Sequence, residues 1–223
     1  MFAGIPATTG LQLGRLIVAS LMLVMASAFA VEKPEAMTRV ERFLEATDTL
    51  SAEFTQVLID ENGQVLSESQ GTLSIKRPGR FRWHYTTPEE LLVLGDGKHV
   101  WSYDVELENA TVASQSSTLS GNPAALLAGD SSAAEAFEVR KSWRAGTTEW
   151  VELAPRDEQQ DFRSVHLGFA DSVLVSMELH DQLGQTTRIG FDRVMQNSQV
   201  SDELFVFTPP AGVDVINAGG FSP

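Results

Sequence analysis

Among the side chains of this sequence that could do chemistry, Arg77 is the one whose position asks for a partner. Strand side chains alternate between the two faces of a sheet. In the stretch Gly71 to Tyr85, read G-T-L-S-I-K-R-P-G-R-F-R-W-H-Y, Thr72, Ser74 and Lys76 share one face, and Leu73, Ile75 and Arg77 the other. After the Pro78-Gly79 break, Arg80, Arg82 and His84 alternate with Phe81, Trp83 and Tyr85. A hairpin of this kind offers an apolar, aromatic face with one arginine at its margin. A buried charge without hydrogen bonds or a counter-charge costs several kcal/mol. Arg77 therefore needs partners from elsewhere in the chain.

The remaining chemical candidates point to no reaction. His84, His99, His166 and His180 are scattered over separate strands, and none has a second ligand at metal-site spacing, so solvated strand histidines are expected and no metal is assigned. The chain has no G-x-S-x-G, no H-E-x-x-H, no glycine-rich phosphate loop and no Cys–His pair. Glu89-Glu90 and Asp157-Glu158 are neighbouring acids that point to opposite sides of an extended strand, and they read as solvated turns rather than a glycosidase pair. No catalytic residue and no cofactor are assigned, and the expectation is a protein that is not an enzyme.

The elements that position these residues begin after a targeting segment. Residues 1–30 read as a cleaved secretory signal: Arg15 is their only charge, Leu16 to Met25 is apolar, and Ala28-Phe29-Ala30 is an A-x-A cleavage site. The apolar run is short for a bilayer span, and an uncleaved anchor is the alternative. Residues 31–223 are expected to form a single domain. The chain carries 16 basic against 30 acidic residues, a net charge of −14, which removal of Arg15 takes to −15. That balance disfavours nucleic acid and adhesion to anionic membrane surfaces. There is no cysteine, which excludes disulfides, thiol catalysis and lipidation at a cysteine beside the signal.

Pro34 to Thr47 reads as an amphipathic helix with its stripe at Met37, Val40, Phe43, Leu44 and Thr47. Most of the chain beyond Thr47 is strand, punctuated by hairpin dipeptides at Asn62-Gly63, Asp96-Gly97 and Gly184-Gln185. The expected strands are Ala52–Asp60, Val65–Arg77, Arg80–Thr86, Leu91–Leu94, His99–Asp104 and Leu107–Val112. A short helix at Leu119–Ala128 interrupts them, with Asn122 as N-cap, Pro123 at N1 and Gly129 as the stop, and Ser131–Ala136 reads as another helical turn. Strands resume at Phe137–Lys141, Glu149–Leu153, Phe162–Phe169, Val173–His180, Thr186–Met195 and Glu203–Phe207.

This rhythm predicts a mainly β protein with some α: an antiparallel meander of about ten or eleven strands that curls into a closed or partly closed barrel, with the helices packed on its concave face. That face would be built from Phe54, Leu73, Ile75, Phe81, Trp83, Trp101, Tyr103 and Phe191. Pattern alone leaves two readings of it, an ordinary packed core or a hydrophobic ligand cavity.

Three segments, taken in order, carry a resemblance. They are Lys76-Arg77-Pro78-Gly79-Arg80-Phe81-Arg82-Trp83, Asp96-Gly97-Lys98-His99-Val100-Trp101-Ser102-Tyr103-Asp104, and Phe207-Thr208-Pro209-Pro210-Ala211-Gly212-Val213-Asp214. With the Phe54-Thr55-Gln56 strand and the Asn122-Pro123 helix, the chain from 34 to 214 resembles the outer-membrane lipoprotein carrier family, LolA. The resemblance implies a periplasmic carrier that takes triacylated lipoproteins from an ATP-driven release complex of the inner membrane and passes them to an acceptor lipoprotein at the outer membrane. It implies an incomplete, unclosed antiparallel β-barrel of about eleven strands, with helices lidding an acyl-chain cavity walled by the face above and by Leu126 and Leu127. It also implies that Arg77 hydrogen-bonds the lid and holds the cavity shut, at carbonyls around Leu126 to Gly129, where a helix C-terminus favours a cation. A monomer is expected. Two other classes share parts of this pattern. A lipid-binding periplasmic sensor of the anti-sigma regulator type has the same barrel, usually with a second domain, whereas the acceptor lipoprotein itself needs a cysteine after its signal.

Overall fold

The computed structural model describes residues 35–115, 123–129, 131–157 and 161–218. The signal segment 1–30 and the Asn122 cap lie outside the described residues. Helix α1 (Glu35–Ala46) comes first, with Glu35 in its first turn, where a negative charge complements the helix dipole. Six strands come next: β1 (Thr49–Ile59), β2 (Val65–Lys76), β3 (Arg80–Thr87), β4 (Leu91–Asp96), β5 (His99–Asp104) and β6 (Asn109–Ser114). Helix α2 (Pro123–Ala128) and a 3-10 turn (Ser131–Ala136) lead to β7 (Phe137–Ala145), β8 (Thr148–Pro155), β9 (Phe162–Ala170), β10 (Val173–Asp181) and β11 (Thr186–Gln196). A second 3-10 turn (Asp202–Phe205) and β12 (Asp214–Asn217) complete the fold.

Among the described residues, twelve strands form one sheet, in the order β12-β6-β5-β4-β3-β2-β1-β11-β10-β9-β8-β7. Among the described residues no ladder joins the two edge strands, β12 and β7, so the barrel is unclosed. Every ladder is antiparallel except β12–β6, which is parallel. The strand expected at Glu203–Phe207 is instead the 3-10 turn. Ser201 caps it by accepting the backbone N–H of Glu203 at 3.3 Å, and the turn buries Phe205. The extra strand, β12, finds its partner on the edge of β6, and the expected Leu107–Val112 strand lies two residues later in the chain.

Register decides which side chains face the interior. Leu50, Ile75 and Phe81 stand in one cross-strand row, and Ala52, Leu73 and Trp83 in the next. Phe191, paired with Phe54, continues this apolar face into β11, and Met177, Leu167 and Val151 carry it across β10, β9 and β8. Helix α1 lays Met37, Val40, Phe43 and Leu44 onto this concave face, all buried, and α2 adds Leu126, Leu127 and Ala128. Edge-to-face aromatic contacts knit the wall: Phe54 sits 5.0 Å from both Trp83 and Tyr85 between ring centroids, and Phe43 of α1 sits 5.4 Å from Phe169. Gly95 makes room here, because a Cβ at that position would stand 2.3 Å from the Phe81 ring.

The opposite face carries a second, smaller core. Leu92, Leu94, Ala110 and Val112 are buried there and not on the concave side. The segment after β11 covers them. Phe205 is buried beneath it, and Phe207 packs with its ring centroid 5.3 Å from Trp101 and 5.4 Å from Tyr103. Asp202 straps the segment to β2 and β3 through Lys76 (2.6 Å) and Arg80 (2.7 Å).

Candidate functional site

The turn between β2 and β3 grips the ends of both helices. The last carbonyls of a helix have no partner within it and must be satisfied from outside. At α2, Arg77 Nη2 donates to Leu127 O at 2.7 Å and Arg77 Nε to Gly129 O at 2.8 Å. Between them, the backbone N–H of Gly79 donates to Ala128 O at 2.8 Å. Three consecutive carbonyls are thus capped by one hairpin turn. Gly79 reaches that position in the left-handed region at φ +74°, which costs a residue with a Cβ about 1–2 kcal/mol.

Arg77 also holds α1. Its Nη1 donates to Thr47 O, one residue past the helix, and its guanidinium lies 5.3 Å over the Phe43 ring. Its own backbone N–H donates to Asp48 O at 2.8 Å. One arginine therefore closes on two helix C-termini, where the dipole favours a cation. Burial pushes its pKa down to about 10, partly offset by the charge of Asp48, so it remains charged at neutral pH. The site behind it is braced. Buried Gln115 donates to Gly79 O at 2.7 Å and accepts from the backbone N–H of Gly97 at 3.1 Å, which locks the β2–β3 turn to the β4–β5 turn. Asn197 donates to Ala46 O at 2.7 Å and accepts from the backbone N–H of Asp48 at 2.8 Å. Toward the other end of α1, Arg39 pairs with Glu149 at 2.5 Å and donates to Asp171 O at 3.1 Å.

Of the expected cavity residues, the structure brings Phe54, Leu73, Ile75, Phe81, Trp83 and Phe191 to the concave wall and Leu126 and Leu127 to the helix packed on it. Trp101 and Tyr103 are not part of that wall. Trp101 pairs with Leu94 and Tyr103 with Leu92 on the outer face, against Phe207, while Val100 of the same strand points inward. Both faces of β4 and β5 are apolar because both are covered, so the aromatic positions alone did not distinguish them. Thr47, Gln115 and Asn197 were not foreseen as partners of the latch region. Thr47 and Asn197 lie 30 and 120 residues from Arg77 in sequence and meet its surroundings only through the β1–β2 and β1–β11 ladders.

The interior is filled by the helices' own side chains. Two clefts flank α1: one of about 220 Å³ against Arg42, Phe43, Phe169 and Gln196, and one of about 330 Å³ against Met37, Glu41, Phe137 and Val139. Each cleft runs between α1 and the sheet, reaching Phe169 on one side and Phe137 on the other. The concave wall is thus nonpolar and covered by two helices, whose C-terminal carbonyls meet at Arg77.

The fold and site define an open barrel with a helical plug, the architecture of a carrier for a nonpolar group. Residues 45–208 match the family model described as outer membrane lipoprotein carrier protein LolA. An outer-membrane lipoprotein carrier protein of Chromobacterium violaceum is 36% identical over 194 residues, covering 87% of this chain and 93% of that protein. One of Nitrosospira multiformis is 40% identical over 179 residues, covering 80% of this chain and 86% of that protein. The chain belongs to the outer-membrane lipoprotein carrier family. A crystal structure of an uncharacterized conserved protein from Thermus thermophilus superposes with a TM-score of 0.51 at 15% identity, over 82% of this chain and 97% of that one, and shares the fold.

Proposed function

We infer that this protein is a periplasmic lipoprotein carrier and not an enzyme: it binds the acyl chains of lipoproteins between two membranes. The observation that carries the reading is the concave apolar wall covered by α1 and α2, with Arg77 donating to carbonyls at the ends of both helices. Triacylated lipoproteins are the cargo this wall suits. They come from an ATP-driven release complex of the inner membrane and go to an acceptor lipoprotein of the outer membrane.

The energetics favour such a device. Burying an acyl chain gains about 0.8 kcal/mol per CH₂ against water, so several chains are worth tens of kcal/mol and need a cover to cross an aqueous space. A carrier must also let go. Every interaction of the plug with the wall competes with cargo for the same surface, and the charged hydrogen bonds of Arg77 add to the closed state without adding to the loaded one. In this reading residues 31–223 act as one carrier domain after removal of residues 1–30.

Mass spectrometry of the protein isolated under non-denaturing conditions from periplasm tests the reading. A co-purifying triacylated lipoprotein is the expected result. Protein that carries only free phospholipid, in cells with active lipoprotein export, would overturn it.

A further inference from the structure

On the outer face of the sheet, far from the plug in sequence and on the side away from the concave wall, three potential metal ligands converge. His166 of β9 pairs across the ladder with Glu178 of β10, and His180 stands two residues further along β10, on the same face. His180 Nε2 lies 3.2 Å from His166 Nδ1, and Glu178 Oε2 lies 3.5 Å from His166 Nδ1 and 3.7 Å from His180 Nε2. Four-coordinate zinc with N and O ligands at about 2.0–2.2 Å spaces its donors by about 3.3–3.6 Å. The three atoms here already stand near the corners of such a face.

The outer ring nitrogens both face oxygens that can accept from them. His180 Nδ1 is 3.0 Å from Thr186 Oγ1, and His166 Nε2 is 3.5 Å from Glu152 Oε2. A metal would take the inner nitrogens, Nδ1 of His166 and Nε2 of His180, with the ring protons on the outer nitrogens; in the metal-free protein the inner nitrogens share protons with each other and with Glu178. Partners of this kind on the far ring nitrogen are the usual outer shell of metal-bound histidines. Glu178 is aimed by Arg188, whose Nε donates to Oε1 at 2.7 Å and leaves Oε2 for the site. Arg140 and Lys141 stand on β7, with Lys141 3.2 Å from Glu152, and Arg163 lies on β9 in the same cleft. The three ligands are mostly but not fully buried, at 14–18% side-chain exposure, and both histidines line a cleft of about 400 Å³.

We propose that His166, His180 and Glu178 form a zinc site that clips β9 to β10 on the outer face of the barrel, with the fourth position open to water in the cleft. The ligand set of two imidazoles and one carboxylate suits zinc and the neighbouring divalent ions that prefer nitrogen. The chain has no cysteine to compete, and its other two histidines are elsewhere, with His84 at Glu90 and His99 at Asp96.

The test is calorimetric titration of the untagged, chelator-stripped mature protein with zinc chloride, together with the visible spectrum of the cobalt(II) form. One zinc per chain bound at micromolar concentration or better, with the d–d bands of a four-coordinate site, is expected. His166→Gln and His180→Gln should each weaken binding by at least about tenfold, and Glu152→Gln by about ten- to a hundredfold, as outer-shell losses do. Zinc should also raise the thermal midpoint of the wild type and not of His180→Gln. Circular dichroism of the metal-free variants checks that each has folded. No saturable uptake of zinc by the wild type, or uptake unchanged in a folded His166→Gln/His180→Gln double variant, would overturn the proposal. Neither outcome touches the carrier reading, since lipoprotein cargo is measured separately.

Discussion

Replacing Arg77 by leucine removes three side-chain hydrogen bonds at the ends of the two helices that we infer act as the plug. The guanidinium donates to Leu127 O, Gly129 O and Thr47 O. Hydrogen bonds from a charged donor contribute about 1.5–3 kcal/mol each, and they are not additive within one group. The latch is only partly buried, so water takes over part of what is lost. A net loss equal to one such bond, about 2 kcal/mol, shifts the closed–open balance by roughly thirtyfold. Cargo binds only the open form, and its apparent affinity is reduced by the fraction of molecules that are closed. Arg77→Leu should therefore load at least as well as the wild type and hand cargo on poorly. Arg77→Lys, which keeps the charge but not the fork that spans two carbonyls, should fall between them. The assay is transfer of a labelled triacylated lipoprotein from purified carrier to purified acceptor, with cargo retained on the carrier measured in parallel. The thermal midpoint of the empty variant reports any loss of fold, since the helix-end carbonyls are left without their partner. Equal transfer and equal retention by a folded Arg77→Leu protein would refute the latch reasoning.

The same geometry sets three other outcomes. Trp83→Ala should impair uptake of an acylated probe, whereas Trp101→Ala should lower the thermal midpoint through the loss of its Phe207 contact and leave uptake unchanged; probe binding to both folded variants checks the contrast. Gly79→Ala places a Cβ 3.0 Å from Gln115 Nε2 in a left-handed residue, and chemical denaturation should show a loss of about 1–2 kcal/mol with faster amide exchange in α2. Glu178 is held well below the usual carboxylate range by hydrogen bonds from His166 and then His180, against the opposing effect of burial, with Arg188 adding to the depression. A carboxylate depressed in the folded state stabilises it above the unfolded glutamate pKa, and that contribution drains away as pH falls below about 4.5. Metal-free Glu178→Gln should accordingly lose less stability than the wild type between pH 5 and pH 2, as followed by thermal unfolding across that range.

Much of the barrel was legible because burial on one side of a strand writes a period of two into the chain. Leu73, Ile75, Phe81 and Trp83 announced their face in this way, as Met37, Val40, Phe43 and Leu44 announced the stripe of α1. The same rule failed at Trp101 and Tyr103. Alternation says which residues share a face but not which face looks inward, and β4 and β5 are covered on both sides. Glu203–Phe207 holds the continuous apolar run Leu204 to Phe207, which reads as a strand, but a capped 3-10 turn buries Phe205 without any ladder.

The awkwardness of Arg77 was a property of the sequence alone: a charge on an apolar face needs acceptors, whatever the fold. Which acceptors it finds was decided only by tertiary structure, because Leu127 O, Gly129 O and Thr47 O lie 30 to 52 residues away and are backbone atoms with no side-chain signature. The convergence of His166 and His180 was hidden for the same reason. Fourteen residues and a turn separate them, and only the register of β9 on β10 brings their rings within 4.3 Å. Patterns along a strand record burial, which is local; partnerships across a sheet depend on register and closure, which no single segment encodes.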